Sequence, residues 1–402
     1  MKARAGVLLM AVLAGALPAH AGAQEPRSAA AITDFRVNDP AQMDARAKLL
    51  ARAEGELARG EVSAANDTFE RAAMMLHAPD TEMGLVRTYM QAGQYRKALA
   101  FCAHVAGAHL ESGPAGGLYA WLLRAGGQNE FADRVLRETL ARLPQDPVAL
   151  EVRRAFASPT PVATGAMLQT PQRMAPQPLL MGDQPPITEA ARVVSGGVLI
   201  ANGTLALVPS AALRPDATQA IWVRDGLGRT TRAHVDSATQ PLASYAVTVL
   251  RLNPPLPSEG LPALAPRDPF AGSAGFAFEY AAQQDATPAW PWLSQGFFGT
   301  LQSGDAPRKL GIGIGVAGTT HGGPVLDAAG RLAGMVLPGR DEPMMLAASR
   351  WAEALPESSQ VAKAPVAPQA GAITRPGGAI PSDEAYEGGL RSALQLIVVP
   401  LK

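Results

Sequence analysis

From residue 45 to 150 the chain is rich in Ala, Leu, Arg and Glu and poor in Pro, which predicts helices. Within that stretch Gly60, Ala65, Phe69 and Ala72 form a pattern that returns as Gly93, Ala98, Cys102 and Val105, then again as Gly127, Ala132, Leu136 and Thr139. The shifts are 33 and 34 residues, the length of one helix pair. Pro79, Pro114 and Pro144 follow the units, where a second helix is expected to end. Residues 157–190 lose all periodicity: prolines lie among Thr, Gln and Met, a composition expected of an extended, poorly ordered linker. From about 191 to 355 the pattern changes to short apolar runs, such as Val198 to Ile200, Leu205 to Val208 and Ala246 to Leu252, punctuated by Gly, Pro and Asn. That is an all-β signature. A second Pro-, Ala- and Gly-rich linker is expected over 356–381, then a short helix and the apolar strand Leu394 to Val399.

The repeated unit resembles the tetratricopeptide repeat, with Gly near the turn between paired helices and small Ala residues letting them approach; a generic helical bundle is the alternative. One such unit cannot bury its apolar face alone, so stacking is required, and a stacked surface of this kind implies a bound peptide or protein segment.

Composition changes the picture little. Lys+Arg and Asp+Glu are equal at 35 each, so charge gives no reason to expect nucleic acid as a partner. Lys2 and Arg4, the apolar run Val7 to Leu17 and Ala19-His20-Ala21 read as a cleaved secretory signal over 1–23, implying a periplasmic or secreted protein. No cysteine precedes Cys102, which excludes a lipid anchor on an N-terminal thiol, and no stretch is apolar enough to span a bilayer. Cys102 is alone and occupies a position that favours a buried, inert thiol. His77, His104 and His109 show no spacing that makes a metal pair, and the β-region offers only His234 and His321 as imidazoles, so neither a metal nor a cofactor is expected. Trp290 and Trp292 suit either an exposed recognition loop or a wedge at a barrel edge.

The β-region carries Gly318-Thr-Thr-His-Gly-Gly-Pro-Val, then a Gly turn and a further strand. This resembles the nucleophile loop of bacterial trypsin-like serine proteases. Gly196-Gly-Val-Leu-Ile-Ala-Asn-Gly and Leu205-Ala-Leu-Val-Pro-Ser-Ala-Ala-Leu resemble the approach to that family's histidine loop, and Ala243-Ser-Tyr-Ala-Val-Thr-Val-Leu-Arg-Leu resembles its aspartate strand. The resemblance implies a chymotrypsin-like double β-barrel. It also places the three catalytic roles. The serine position holds His321, the histidine position Ala211 or Ser210, and the aspartate position Ala246 or Ser244. No histidine lies between His109 and His234, and no carboxylate between Ser237 and Ser258. An enzyme of this kind stripped of its triad keeps only about 10³–10⁴-fold acceleration over water. Gly322 and Gly323 are expected to leave a remnant loop with N–H groups facing inward, at best a nook for an acceptor. His321 paired with Asp327, or Ser210 or Thr320 as a relocated nucleophile, would make a rebuilt site.

The tail from Ser382 to Val399 resembles the opening helix and first strand of the same protease family, displaced to the end of the chain. An unpaired strand of that composition invites aggregation, so it is expected to join a barrel, its own or a partner's.

The expected organisation is therefore multidomain, α plus all-β: signal 1–23, a repeat solenoid over 24–155, linker 156–190, the degenerate barrel domain 191–355, linker 356–381 and the strand-bearing tail 382–402. The expected function is that of a non-catalytic adaptor for a protein or peptide. A non-standard serine-type peptidase or esterase is the alternative, and a regulator of an intact protease relative, perhaps through strand exchange, is a further one.

Overall fold

The computed structural model describes residues 39–213, 219–235, 240–301, 310–316, 321–339, 343–355 and 378–400. The expected signal segment lies outside them, as does the second expected linker apart from its last four residues.

The described residues begin with helices in antiparallel pairs: α1 (Pro40–Ala58) with α2 (Val62–Met75), α3 (Pro79–Gln91) with α4 (Tyr95–Ala108), and α5 (Gly113–Ala125) with α6 (Asn129–Arg142), followed by α7 (Pro147–Phe156). The repeated glycines end the first helix of each pair. Gly60, Gly93 and Gly127 have φ of 77°, 71° and 79°, left-handed values that a side chain resists. Pro144 follows the end of α6 as expected, whereas Pro79 and Pro114, which also lie beyond α2 and α4, take part in the start of the next helix. Pro79, Pro114 and Pro147 open the next helix, where a missing N–H costs nothing. Asp39, Ser112 and Asp146 cap α1, α5 and α7 by accepting from Ala41, Ala115 and Ala149 N–H at 2.9, 3.3 and 2.9 Å.

Residues 157–190 depart from the expected loose linker. Met167, Met174 and Ala175 are buried, and the backbone is tied to the helices by Met167 N–H donating to Glu151 Oε2 at 3.3 Å. The segment departs from a linker because methionine side chains fill irregular gaps well even where prolines prevent a regular element. The short strand β1 (Leu179–Leu180) then runs parallel to Arg229 and Thr230, delivering the chain to the β-region.

Six strands form the first barrel: β2 (Arg192–Ile200), β3 (Leu205–Pro209), β4 (Gln219–Asp225), β5 (Arg229–Val235), β6 (Val247–Asn253) and β13 (Ala393–Pro400), in the order β5-β4-β13-β2-β3-β6 with β6 pairing back to β5. The second barrel closes as β10-β11-β12-β9-β8-β7 from β7 (Ala274–Glu279), β8 (Trp292–Leu301), β9 (Leu310–Ile314), β10 (Pro324–Asp327), β11 (Leu332–Leu337) and β12 (Met344–Ala347). Helix α8 (Ala348–Ala354) follows β12. A helical region followed by a chymotrypsin-like pair of β-barrels is thus the architecture. Leu199, Val208, Val223, Leu250, Leu394 and Leu396 fill the first barrel; Ala277, Phe298, Val325, Val336 and Met345 fill the second.

Strand β13 settles in its own chain. It lies antiparallel to both β2 and β4, with Leu396 opposite Ser195 on one side and Val223 on the other. The helix before it, α9 (Ser382–Ser392), sits where the helices and both barrels meet. Its Tyr386 packs 4.2 Å from the Tyr95 ring, also contacts Phe278, and donates its hydroxyl to Pro291 O at 2.7 Å. Glu387 pairs with Arg96 at 3.1 Å. One hydrophobic cluster runs from Phe69 and Leu118 through Tyr386 to Val249 and Leu346, so helices and barrels share a core.

Candidate functional site

The cleft that would carry protease chemistry forms where three loops adjoin. Strand β3 ends at Pro209 and turns through Ser210–Ala212. Ser210 N–H donates to Ala246 O at 2.9 Å, and the Ser210 and Thr248 hydroxyls lie 2.8 Å apart. Ala246 holds φ of 59°, a left-handed conformation that costs an alanine roughly 1–2 kcal/mol. The Ser210 bond across the loop helps to keep it there. Ser244 is exposed in the turn just before it.

The third loop arrives from the second barrel. His321 O accepts from Ser195 Oγ at 2.6 Å and from Gly196 N–H at 3.0 Å. A Cβ on Gly322, at φ of 111°, would fall 2.4 Å from Gly196 O and 2.7 Å from Pro209 Cδ. One on Gly323 would fall 1.6 Å from Phe278 O. Only glycine permits backbones this close. The expected inward nook is altered by the same contact: Gly322 N–H donates to Val336 O at 2.8 Å, so it is not free for a ligand. Gly318, Thr319 and Thr320 lie outside the described residues.

The positions read from sequence therefore do meet, Ser210 and Ala211 beside Ala246 and, through Pro209, beside Gly322 and His321. Their chemistry is sparse. His321 is half-buried, and burial lowers its pKa, so the ring is neutral at pH 7. Its Nδ1 is buried and has no hydrogen-bond partner among the described residues. Asp327, the carboxylate considered as its mate, is committed elsewhere. It accepts from Ala329 N–H, Arg331 N–H and Arg331 Nε, each at 2.9 Å, closing its own turn. His234 sits on β5 opposite Arg251.

The helical face expected to hold a partner's peptide is covered by the chain itself. Every residue of α3 from Thr81 to Gln91 is buried. Gln91 donates to Leu227 O of the first barrel and accepts from Gln177 N–H at 3.2 Å. Trp121 meets Trp292 edge-on at 5.0 Å, and Trp292 Nε1 donates to Pro161 O at 3.1 Å. Trp290 and Trp292 are both buried, the wedge rather than the exposed loop. Cys102 is fully buried, and burial pushes its thiol pKa far above the usual range. Sequence reasoning missed one grouping: His77, Glu82 and His109 converge beside the ends of α2, α3 and α4. Their separations along the chain fit no metal-binding motif, and only the stacking of the helices unites them.

No protein-family model and no curated protein matches this chain. Solved structures do. The MamO protease domain of Magnetospirillum magneticum is 14% identical over 41% of this chain and 95% of that one, with a TM-score of 0.30. Rv3671c of M. tuberculosis, in an inactive serine-to-alanine form, is 16% identical over 42% and 84%, at 0.32. Deg5 is 13% identical over 43% and 90%, at 0.32.

Proposed function

We propose that this chain is a non-catalytic, exported scaffold protein, a pseudoprotease in which tetratricopeptide-like repeats and a trypsin-like double barrel act as one rigid interaction unit. The observation that carries the reading is the cleft. Three loops adjoin as a triad would require, yet they present Ser210 or Ala211, Ala246 and a His321 whose Nδ1 has no partner among the described residues. Acyl transfer needs a hydroxyl, a base and a carboxylate orienting that base within hydrogen-bond reach of one another. Ser210 has a hydroxyl, but its neighbour is the Thr248 hydroxyl, which cannot take up a proton at neutral pH.

The partner is a protein or peptide, and the interaction surface differs from the one the repeats alone imply. With α3 buried and the proline-rich segment laid against the helices, the inner repeat face serves the chain's own cohesion. Strand exchange with a protease relative is disfavoured for a similar reason, since β13 is already paired on both edges. The signal-like start supports export to the periplasm or beyond.

The test is hydrolysis. Purified protein incubated with fluorogenic peptide and ester libraries is expected to release no more product than a heat-denatured control. Sustained turnover lost in a Ser210→Ala or His321→Ala variant would favour the rival reading, a hydrolase with a non-standard site.

A further inference from the structure

The first turn of α3 carries a carboxylate in an unusual position. The Glu82 side chain is 1% exposed, and the imidazoles of His77 and His109 face it. His109 Nε2 lies 3.0 Å from Glu82 Oε2. His77 Nε2 lies 2.6 Å from Glu82 Oε1, yet outside hydrogen-bonding geometry, so that buried oxygen has no hydrogen-bond partner among the described residues. Among the described residues Glu82 has no ion-pair partner other than these two rings. The start of α3 favours a carboxylate through the helix dipole, but a carboxylate this deeply buried still gains from a full counter-charge, because burying an ion is costly.

We propose that His77, Glu82 and His109 form a binding site for a divalent transition-metal ion of the zinc class. Two imidazoles and a carboxylate are a ligand set that zinc accepts. The three donor atoms lie within 4.8 Å of one another. Tetrahedral bonds of ~2.0–2.1 Å place donors about 3.3 Å apart, so a small side-chain adjustment brings them onto one ion. The second sphere is also present: Glu111 Oε1 stands 3.4 Å from His109 Nδ1. A carboxylate there fixes the ring so that Nε2 faces the ion. His77, at 63% exposure, leaves the site open on one side, giving the ion an entry path and a fourth position for water or a ligand from solution. Two helix ends add to the setting, since His77 follows the C-terminus of α2 and His109 caps that of α4, where the helix dipole favours a cation.

The site links the ends of three successive helices, so an ion in it would brace α2, α3 and α4 against one another. The experiment is calorimetric titration of Zn²⁺ into purified, tag-free protein previously stripped with EDTA, together with its melting temperature. One ion per chain is expected to bind, and the melting temperature to rise with zinc and fall back with EDTA. His77→Ala removes an exposed ligand from a loop and is expected to weaken binding about tenfold or more while leaving the EDTA-treated melting temperature unchanged. Glu82→Gln, which preserves shape, is expected to weaken it at least as much. Absence of zinc binding by the unaltered protein, or affinity in both variants unchanged from that of the unaltered protein, would overturn the assignment and leave Glu82 as an ordinary histidine-paired carboxylate.

Discussion

Removing residues 382–402 is expected to leave no folded first barrel. Strand β13 is an interior strand, so its loss unpairs β2 and β4 together and opens two ladders whose backbone groups then face each other across a gap. Its side chains from Leu394 to Val399 are all buried, five of them aliphatic. Burying each aliphatic one contributes about 1.5–3 kcal/mol, so together they rival the whole net stability of a domain, roughly 5–15 kcal/mol. The truncated protein should accumulate as insoluble material, and any soluble fraction should lack a cooperative thermal transition. A soluble truncation that melts like the intact chain would mean that β13 is dispensable. Supplying the missing piece as a separate peptide should restore some solubility, because the vacant slot has a fixed register.

Tyr386→Ala is expected to have the next largest effect. The ring is fully buried between Tyr95 of the helices and Phe278 of the second barrel, and its hydroxyl satisfies Pro291 O. Truncation leaves a cavity at the junction of three bodies, and large aromatic-to-alanine changes in cores cost about 3–5 kcal/mol. Tyr386→Phe keeps the packing and loses one hydrogen bond, worth about 1 kcal/mol. Chemical denaturation followed both by tryptophan fluorescence and by helical circular dichroism checks this. Both signals should shift together in Tyr386→Ala, because Trp121 and Trp292 report the same interface that Tyr386 supports. If the helical signal kept its midpoint while fluorescence moved, helices and barrels would unfold separately and the shared core would be of little consequence.

The contrast between these two positions explains what the sequence revealed. Periodic features were readable. The repeated glycines at 60, 93 and 127 mark a backbone conformation, and such requirements leave a mark at a fixed spacing. The β-region was readable from its landmarks in order, and the tail strand from an apolar run too dangerous to leave unpaired. What the chain does not write down locally was missed. Residues 157–190 have a linker's composition, yet Met167 and Met174 find partners only once helices stand beside them. The inner repeat face looked available because nothing in α3 says what will cover it. The cleft shows both sides of this. The motif alone put His321 in the loop that meets Ser195 and Gly196, whereas the capture of Gly322 N–H by Val336 O depended on strand register. The cluster of His77, Glu82 and His109 is the extreme case, since Glu82 and His109 stand 27 residues apart and meet only through helix stacking.

A pseudoprotease of the kind proposed has no activated nucleophile in the cleft between the barrels. The most direct test is a fluorophosphonate probe, which forms a covalent bond with a serine made nucleophilic by a neighbouring base, read by intact-protein mass spectrometry. The native protein is expected to keep its unmodified mass after prolonged exposure, as the denatured protein does. A stoichiometric adduct on the native form alone, mapped to Ser210, Thr248 or Thr320, would contradict it.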